Sequence, residues 1–189
     1  MNLGPSQSFA AGRERTVHVG QGEFEVSDDP NVVMTTVLGS CVAACIRDPA
    51  AGLGGINHFL LPDREGGFEG EEARRYGVHA MEMLINRLLQ AGARRDRLEA
   101  KLFGGACLFQ RLKNIGADNA AFATRFLGAE GIPVRGGDLG GERARRIRYW
   151  PATGQAFQRL LDPSEDQIFI REQRSAVKAP VDQGDLELF

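Results

Sequence analysis

Three apolar runs, VVMTTVL (32–38), VAACIR (42–47) and GGINHFLL (54–61), follow one another with short polar breaks between them. Each has strand length, is rich in β-branched residues or glycine, and is bounded by turn-forming residues, so the pattern predicts three consecutive strands. VHVG (17–20) and EFEV (23–26) read as two shorter strands around a Gly-Gln-Gly turn, and DDPN (28–31) breaks the chain before the third. DPAAG (48–52) has the chemistry of a hairpin loop. The period then changes. Over 70–92, Ala73, Tyr76, Ala80, Leu84 and Leu88 recur at helical spacing, with Met81, Ile85 and Leu89 beside them. Glu71 and Glu72 suit the positive end of that helix, and Gly92 suits its stop. LEAKLFGGACLF (98–109) reads as a strand running into a glycine turn, 117–129 as a second helix, and IPVRGGDLGG, RRIRYW and GQAFQRLL as late strands. Many strands with two helices between them predict a single α+β domain with mixed sheets.

Residues 1–16 carry no periodicity and are expected to be a mobile N-terminal extension. The folded domain is expected over 17–161. Residues 162–189 hold seven acids against three bases and read as an acidic, partly disordered tail. A net charge of −2 in 189 residues gives no footing for nucleic-acid or membrane-surface binding. No run approaches the ~20 apolar residues that cross a bilayer, and the N-terminus lacks a secretory pattern. The cytoplasm is the expected location, and there the three cysteines, an odd number, stay reduced.

Candidate chemistry lies in TTVLGSCVAACIRDPAAGLGGINHFLLP (35–62), where Cys41 precedes His58 by seventeen residues. If DPAA forms the hairpin loop, Arg47 pairs with Gly52 and Cys41 lies directly across from His58. A loop longer by one residue leaves them diagonal neighbours. Opposed residues have Cβ atoms ~5 Å apart, within reach of proton exchange between a thiol and an imidazole, and a nearby imidazolium lowers a thiol's pKa. Gly39 and Ser40 form a tight turn whose backbone N–H groups suit a developing oxyanion. Thr35 is placed to orient the ring of His58, the role of a triad's third member. Core packing competes with this reading, because free cysteine is among the most buried residue types. Cys45 and Cys107 fit packing better than chemistry. A metal site of Cys41, Cys45 and His58 has loose spacing for zinc and no evident fourth ligand, so no metal or other cofactor is expected. His18 and His79 read as solvated surface residues.

LGSCVAACIRDPAAGLGGINHFLLP closely resembles the signature of the CheD family, bacterial chemoreceptor glutamine deamidases. Further blocks agree in order, RLEAKLFGGACLF, IGADNAAF and DLGGERARRIRYWPATG, so the resemblance spans about Val17 to Leu161. It implies a catalytic triad of Cys41 after Leu-Gly-Ser, His58 before Leu-Pro, and Thr35 six positions ahead of the cysteine. It implies hydrolysis of receptor glutamine side chains to glutamate through a thioester, with ammonia released. The implied partners are the cytoplasmic domains of chemoreceptors and a CheC-type phosphatase, and docking on them without catalysis is the alternative role. Kinship with toxins of the cytotoxic necrotising factor type implies a three-layer α/β/β sandwich. The GGERARRIR segment (140–148) matches no phosphate-loop spacing. Its Arg143, Arg145 and Arg146 are candidates for docking the receptor at the rim of the site.

Overall fold

The computed structural model describes residues 13–61, 70–108 and 113–162. Among these described residues nine strands and two α-helices follow in the order β1 (Arg15–His18), β2 (Phe24–Ser27), β3 (Val32–Leu38), β4 (Val42–Asp48), β5 (Leu53–Phe59), α1 (Gly70–Gln90), β6 (Glu99–Gly104), α2 (Lys113–Ala129), β7 (Val134–Leu139), β8 (Arg145–Trp150) and β9 (Gln155–Leu160). They form two mixed sheets, one ordered β1-β3-β8-β9 and the other β2-β5-β4-β6-β7. The pairs β1–β3 and β6–β7 are parallel, and the others are antiparallel.

The five-stranded sheet is the middle layer. On one face Val42, Ala44, Ile46 and Phe59 pack with Met81, Leu84 and Leu88 of α1 and Phe122 and Leu127 of α2. On the other, Cys41, Ala43, Cys45 and Ile56 pack against Val32, Met34, Leu38, Ile147 and Tyr149 of the four-stranded sheet. Both faces being covered, β4 is apolar at successive positions instead of alternating. The expected α/β/β sandwich is the observed one, a single α+β domain.

The two short strands around the Gly-Gln-Gly turn do not pair with each other. β1 joins β3 and β2 joins β5, so that turn carries the chain from one sheet to the other. Arg15 and Thr16 belong to β1, so ordered structure begins ahead of residue 17. The segments 1–12 and 163–189, including most of the expected tail, lie outside the described residues. α2 starts at Lys113, four residues before the expected helix.

The β4–β5 hairpin forms where expected but with a different register. Asp48 pairs with Leu53 and Ala43 with His58, so the loop is Pro49–Gly52. Asp48 stays in the ladder because its buried carboxylate accepts the loop's own N–H groups, Ala50 at 3.0 Å and Ala51 at 3.2 Å, and Arg94 N at 2.9 Å. An Asp side chain closing the turn two residues on is a common device. Gly52, at φ 61°, takes the left-handed position that returns the chain.

Candidate active site

Cys41 sits at the head of β4 with no exposure to solvent. Three consecutive carbonyls hold it there. Gly39 O accepts from Ala106 N at 2.8 Å, and Cys41 O accepts from Gly105 N at 2.7 Å. Between them, Ser40 O accepts from Nδ2 of Asn119, a fully buried α2 residue, at 3.1 Å. The same Asn119 side chain donates to Ile115 O and accepts from Leu61 N at 2.8 Å. It therefore ties the turn before the cysteine to the end of the histidine's strand. Gly104 explains how β6 comes so close. A Cβ there would lie 2.1 Å from Cys41 O, and its φ of 108° already disfavours a side chain. No cis peptide bond occurs among the described residues, and the N–H of a trans peptide opposes its carbonyl. With Ser40 O turned toward Asn119, the Cys41 N–H points away from α2.

His58 lies on β5 directly opposite Ala43. Cys41 is two residues before Ala43, so it shares that face of the sheet and is the diagonal neighbour of His58, not its direct partner. Diagonal neighbours remain within reach of long side chains. The ring's Nδ1 is 2.9 Å from Thr36 Oγ1. The hydroxyl at the ring is thus that of Thr36, the neighbour of the expected Thr35. Thr35 turns its hydroxyl away and donates to Ile147 O at 2.7 Å. The alternation along β3 is the cause: Val32, Met34 and Leu38 face the middle sheet, and Thr36 shares their parity. His58 is buried, and Nε2 makes no well-formed hydrogen bond to the described residues. Burial lowers its pKa from 6.5 to about 4, although the Val19 backbone and the Glu23 charge pull the other way. At neutral pH the imidazole is thus uncharged, a proton acceptor and not the imidazolium that the sequence suggested.

Gln21, in the turn between β1 and β2, was not singled out by the sequence. The thiol of Cys41 donates to its Oε1 at 3.5 Å. Asn119 and Thr36 were also missed. A polar residue inside the matching IGADNAAF block was the signal for Asn119, and β3 is apolar on both faces, which hides the parity of its threonines.

The other candidates separate cleanly. Cys45 is buried beside Ile56, and burial pushes its thiol well above the ordinary value, with only partial relief from the Lys101 charge. Cys107 is partly exposed. His18 and His79 are exposed. Arg145 is not a rim residue. It is 1% exposed, donates to Asp138 O at 2.7 Å and to Gly140 O, and pairs with the Asp138 carboxylate at 3.0 Å. Arg143 is half-exposed and donates to Leu161 O, while Arg146 is exposed. Among the described residues no three His, Cys, Asp or Glu side chains gather as a metal-holding group.

Fold and site together define an α/β/β sandwich that holds a buried thiol and a threonine-bound imidazole on one face of its middle sheet. The CheD family model, described as chemotactic sensory transduction, matches residues 60–160, and the chain belongs to the CheD family. A probable chemoreceptor glutamine deamidase CheD of Caulobacter sp. (strain K31) is 54% identical over 187 residues, covering 99% of this chain and 100% of that protein. The protein of the same description from Caulobacter vibrioides (strain NA1000 / CB15N) is 57% identical over 173 residues, 92% of each chain. That of Rhizobium meliloti (strain 1021) is 55% identical over 182 residues, 95% of this chain and 98% of that one. Among solved structures, Neisseria meningitidis protein NMB0706 aligns over 67% of this chain and 64% of that chain, at 12% identity and a TM-score of 0.45. This chain spans under two thirds of that protein's length, and a likeness of this size carries no weight here.

Proposed function

We propose that this protein is a chemoreceptor glutamine deamidase in which Cys41 is the nucleophile, His58 the proton carrier and Thr36 the group that orients the ring. One observation carries the reading. His58 keeps Nδ1 on a threonine hydroxyl, and its ring lies on the sheet face that also carries Cys41. If Nδ1 holds the ring proton and donates it to Thr36 Oγ1, the Nε2 lone pair is free to act as a base. A neutral imidazole fixed through its other nitrogen, on the same sheet face as a thiol, is an arrangement that generates a sulfur nucleophile on demand.

In this mechanism neutral His58 takes the thiol proton as Cys41 Sγ attacks the side-chain amide carbon of a receptor glutamine. The resulting oxyanion is met by backbone N–H groups of the Gly39–Cys41 turn, whose carbonyls are all engaged elsewhere. The His58 proton passes to the leaving nitrogen, ammonia departs and a thioester remains. His58 then draws a proton from water, hydrolysis yields glutamate, and the thiol is restored. The receptor segments that carry such glutamines lie in the cytoplasm, and so does the reaction.

The deciding assay is ammonia release from a receptor cytoplasmic domain, with mass spectrometry locating a gain of about one dalton per converted glutamine. Cys41→Ala and Cys41→Ser are expected to be inactive while unfolding near the parent temperature. Cys45→Ala is expected to retain activity and lose only packing. Turnover by either Cys41 variant, or its loss in Cys45→Ala with Cys41 intact, overturns the assignment.

A further inference from the structure

Cys41 is completely buried, yet the carboxamide it attacks arrives on another protein. Something in the resting site must therefore give way. One group in contact with Sγ is itself a glutamine carboxamide, since Gln21 Oε1 accepts from the thiol at 3.5 Å. Gln21 is otherwise exposed, so one side chain spans from solvent to the nucleophile. Its turn is fastened beside the base. Gly22 N donates to His58 O at 2.7 Å, and His58 N donates to Glu23 O at 3.0 Å. Gly20 N donates to the Glu23 carboxylate at 2.8 Å. Gly22 sits at φ 83°, which lets the chain double back there.

Resting on the nucleophile assignment above, we propose that Gln21 is a built-in occupant of the glutamine subsite. Its carboxamide fills the place of the substrate's, and a receptor glutamine must displace it to reach Cys41. The chemistry of the occupant supports this: a pocket that accepts a primary carboxamide against Sγ is already holding one. The backbone of the turn is bonded to β5, whereas among the described residues the Gln21 side chain is held by its neutral contact to sulfur, so displacement needs a rotamer change and no unfolding. Displacement also explains how a fully buried thiol serves a macromolecular substrate. In energetic terms the resting enzyme is mostly in a closed state, and its apparent affinity for receptor is reduced by the closed fraction.

The test uses the full chain with Gln21→Ala and Gln21→Glu. Iodoacetamide, itself a primary amide, is the probe, with peptide mapping to read Cys41 and Cys107 separately. Gln21→Ala is expected to alkylate Cys41 about fivefold faster, the size that one neutral hydrogen bond gives to an open–closed equilibrium. Cys107 in the same sample keeps its rate. On a receptor cytoplasmic domain, KM falls by a similar factor and kcat/KM rises with it. Gln21→Glu keeps an acceptor on the thiol and alkylates no faster than the parent. An unchanged Cys41 rate in Gln21→Ala overturns the proposal. A fall in kcat at constant KM also overturns it, because Gln21 would then be stabilising the transition state. Cys41→Ala separates the two levels: ammonia release without the thiol refutes the nucleophile itself, whereas an inactive Cys41→Ala beside an unaltered Gln21→Ala refutes the occupant alone.

Discussion

Thr35 and Thr36 share a strand and a functional group, but their hydroxyls serve different layers, Thr36 at His58 Nδ1 and Thr35 at the Ile147 carbonyl. Replacing each by the isosteric valine separates orientation from stability. Thr36→Val is expected to lower kcat roughly tenfold, the scale of one lost hydrogen bond when a ring must keep one tautomer, with KM little changed. Thr35→Val loses about 1 kcal/mol of stability, or roughly 2–4 °C in a chain of this size, and keeps its kcat. Equal effects of the two on kcat would remove Thr36 from the mechanism. The burial of His58 leads to a second expectation. The folded protein takes up that proton only near pH 4, whereas the ordinary value is 6.5. Protonation therefore favours the unfolded chain. The stability is fully present above pH 6.5 and is lost as pH falls toward 4, by on the order of 3 kcal/mol in total. Urea unfolding at pH 7 and pH 4.5 should show the parent losing more stability than His58→Gln. Equal losses would mean that the imidazole is solvated enough to charge in place.

At the scale of elements, the joint between α2, the Cys41 turn and the end of β5 rests on Asn119. Asn119→Ala breaks three hydrogen bonds at once and strands the Ser40 carbonyl and the Leu61 N–H. Each buried unsatisfied group costs roughly 1–3 kcal/mol. A marked fall in melting temperature is expected, together with slower alkylation of Cys41 at temperatures where the variant is still folded. A lower melting temperature alone, with parent alkylation rates, would make Asn119 a purely structural strut. Such joints also mark the limit of what the chain alone discloses. Elements delimited by local chemistry were legible: β3 falls on 32–38, and α1 ends just before the Gly92 stop. The closeness of Cys41 and His58 was legible too, because one short hairpin brings them to one sheet face. The register was not, since it turns on whether the Asp48 side chain satisfies its own loop. Neither were the parallel pairings of β1 with β3 and of β6 with β7, which join segments with no hairpin between them. Gln21 reaches Cys41 only because its turn crosses between two sheets, a tertiary fact that no local pattern records.

Across the whole molecule, charge is close to balanced, with a net −2, so any electrostatic steering of a receptor has to come from a local cluster. Arg145 is spoken for, being buried on Asp138 and on the carbonyls of the Gly140 turn. Its work is to brace that turn. Gly141 O in turn accepts from Cys107 N at 2.8 Å, and Gly39 O from Ala106 N, so the arginine segment abuts the glycine strand that cradles Cys41. Arg146 is exposed on β8, register partner of Val37 on one side and of Arg159 on the other. Arg143 keeps part of its guanidinium exposed while bonded to Leu161 O. Of the three candidate arginines, these two keep exposed charge. Exposed charges act mainly on association rate and are screened over about 10 Å at 0.1 M salt. The double variant Arg143→Gln, Arg146→Gln is therefore expected to lower kcat/KM on receptor roughly threefold to tenfold at low ionic strength, and to converge on the parent as salt is raised. Alkylation of Cys41 by iodoacetamide, a neutral probe, should not change. Receptor turnover with the parent's salt dependence would show that docking uses another face, and that these arginines are solvated surface.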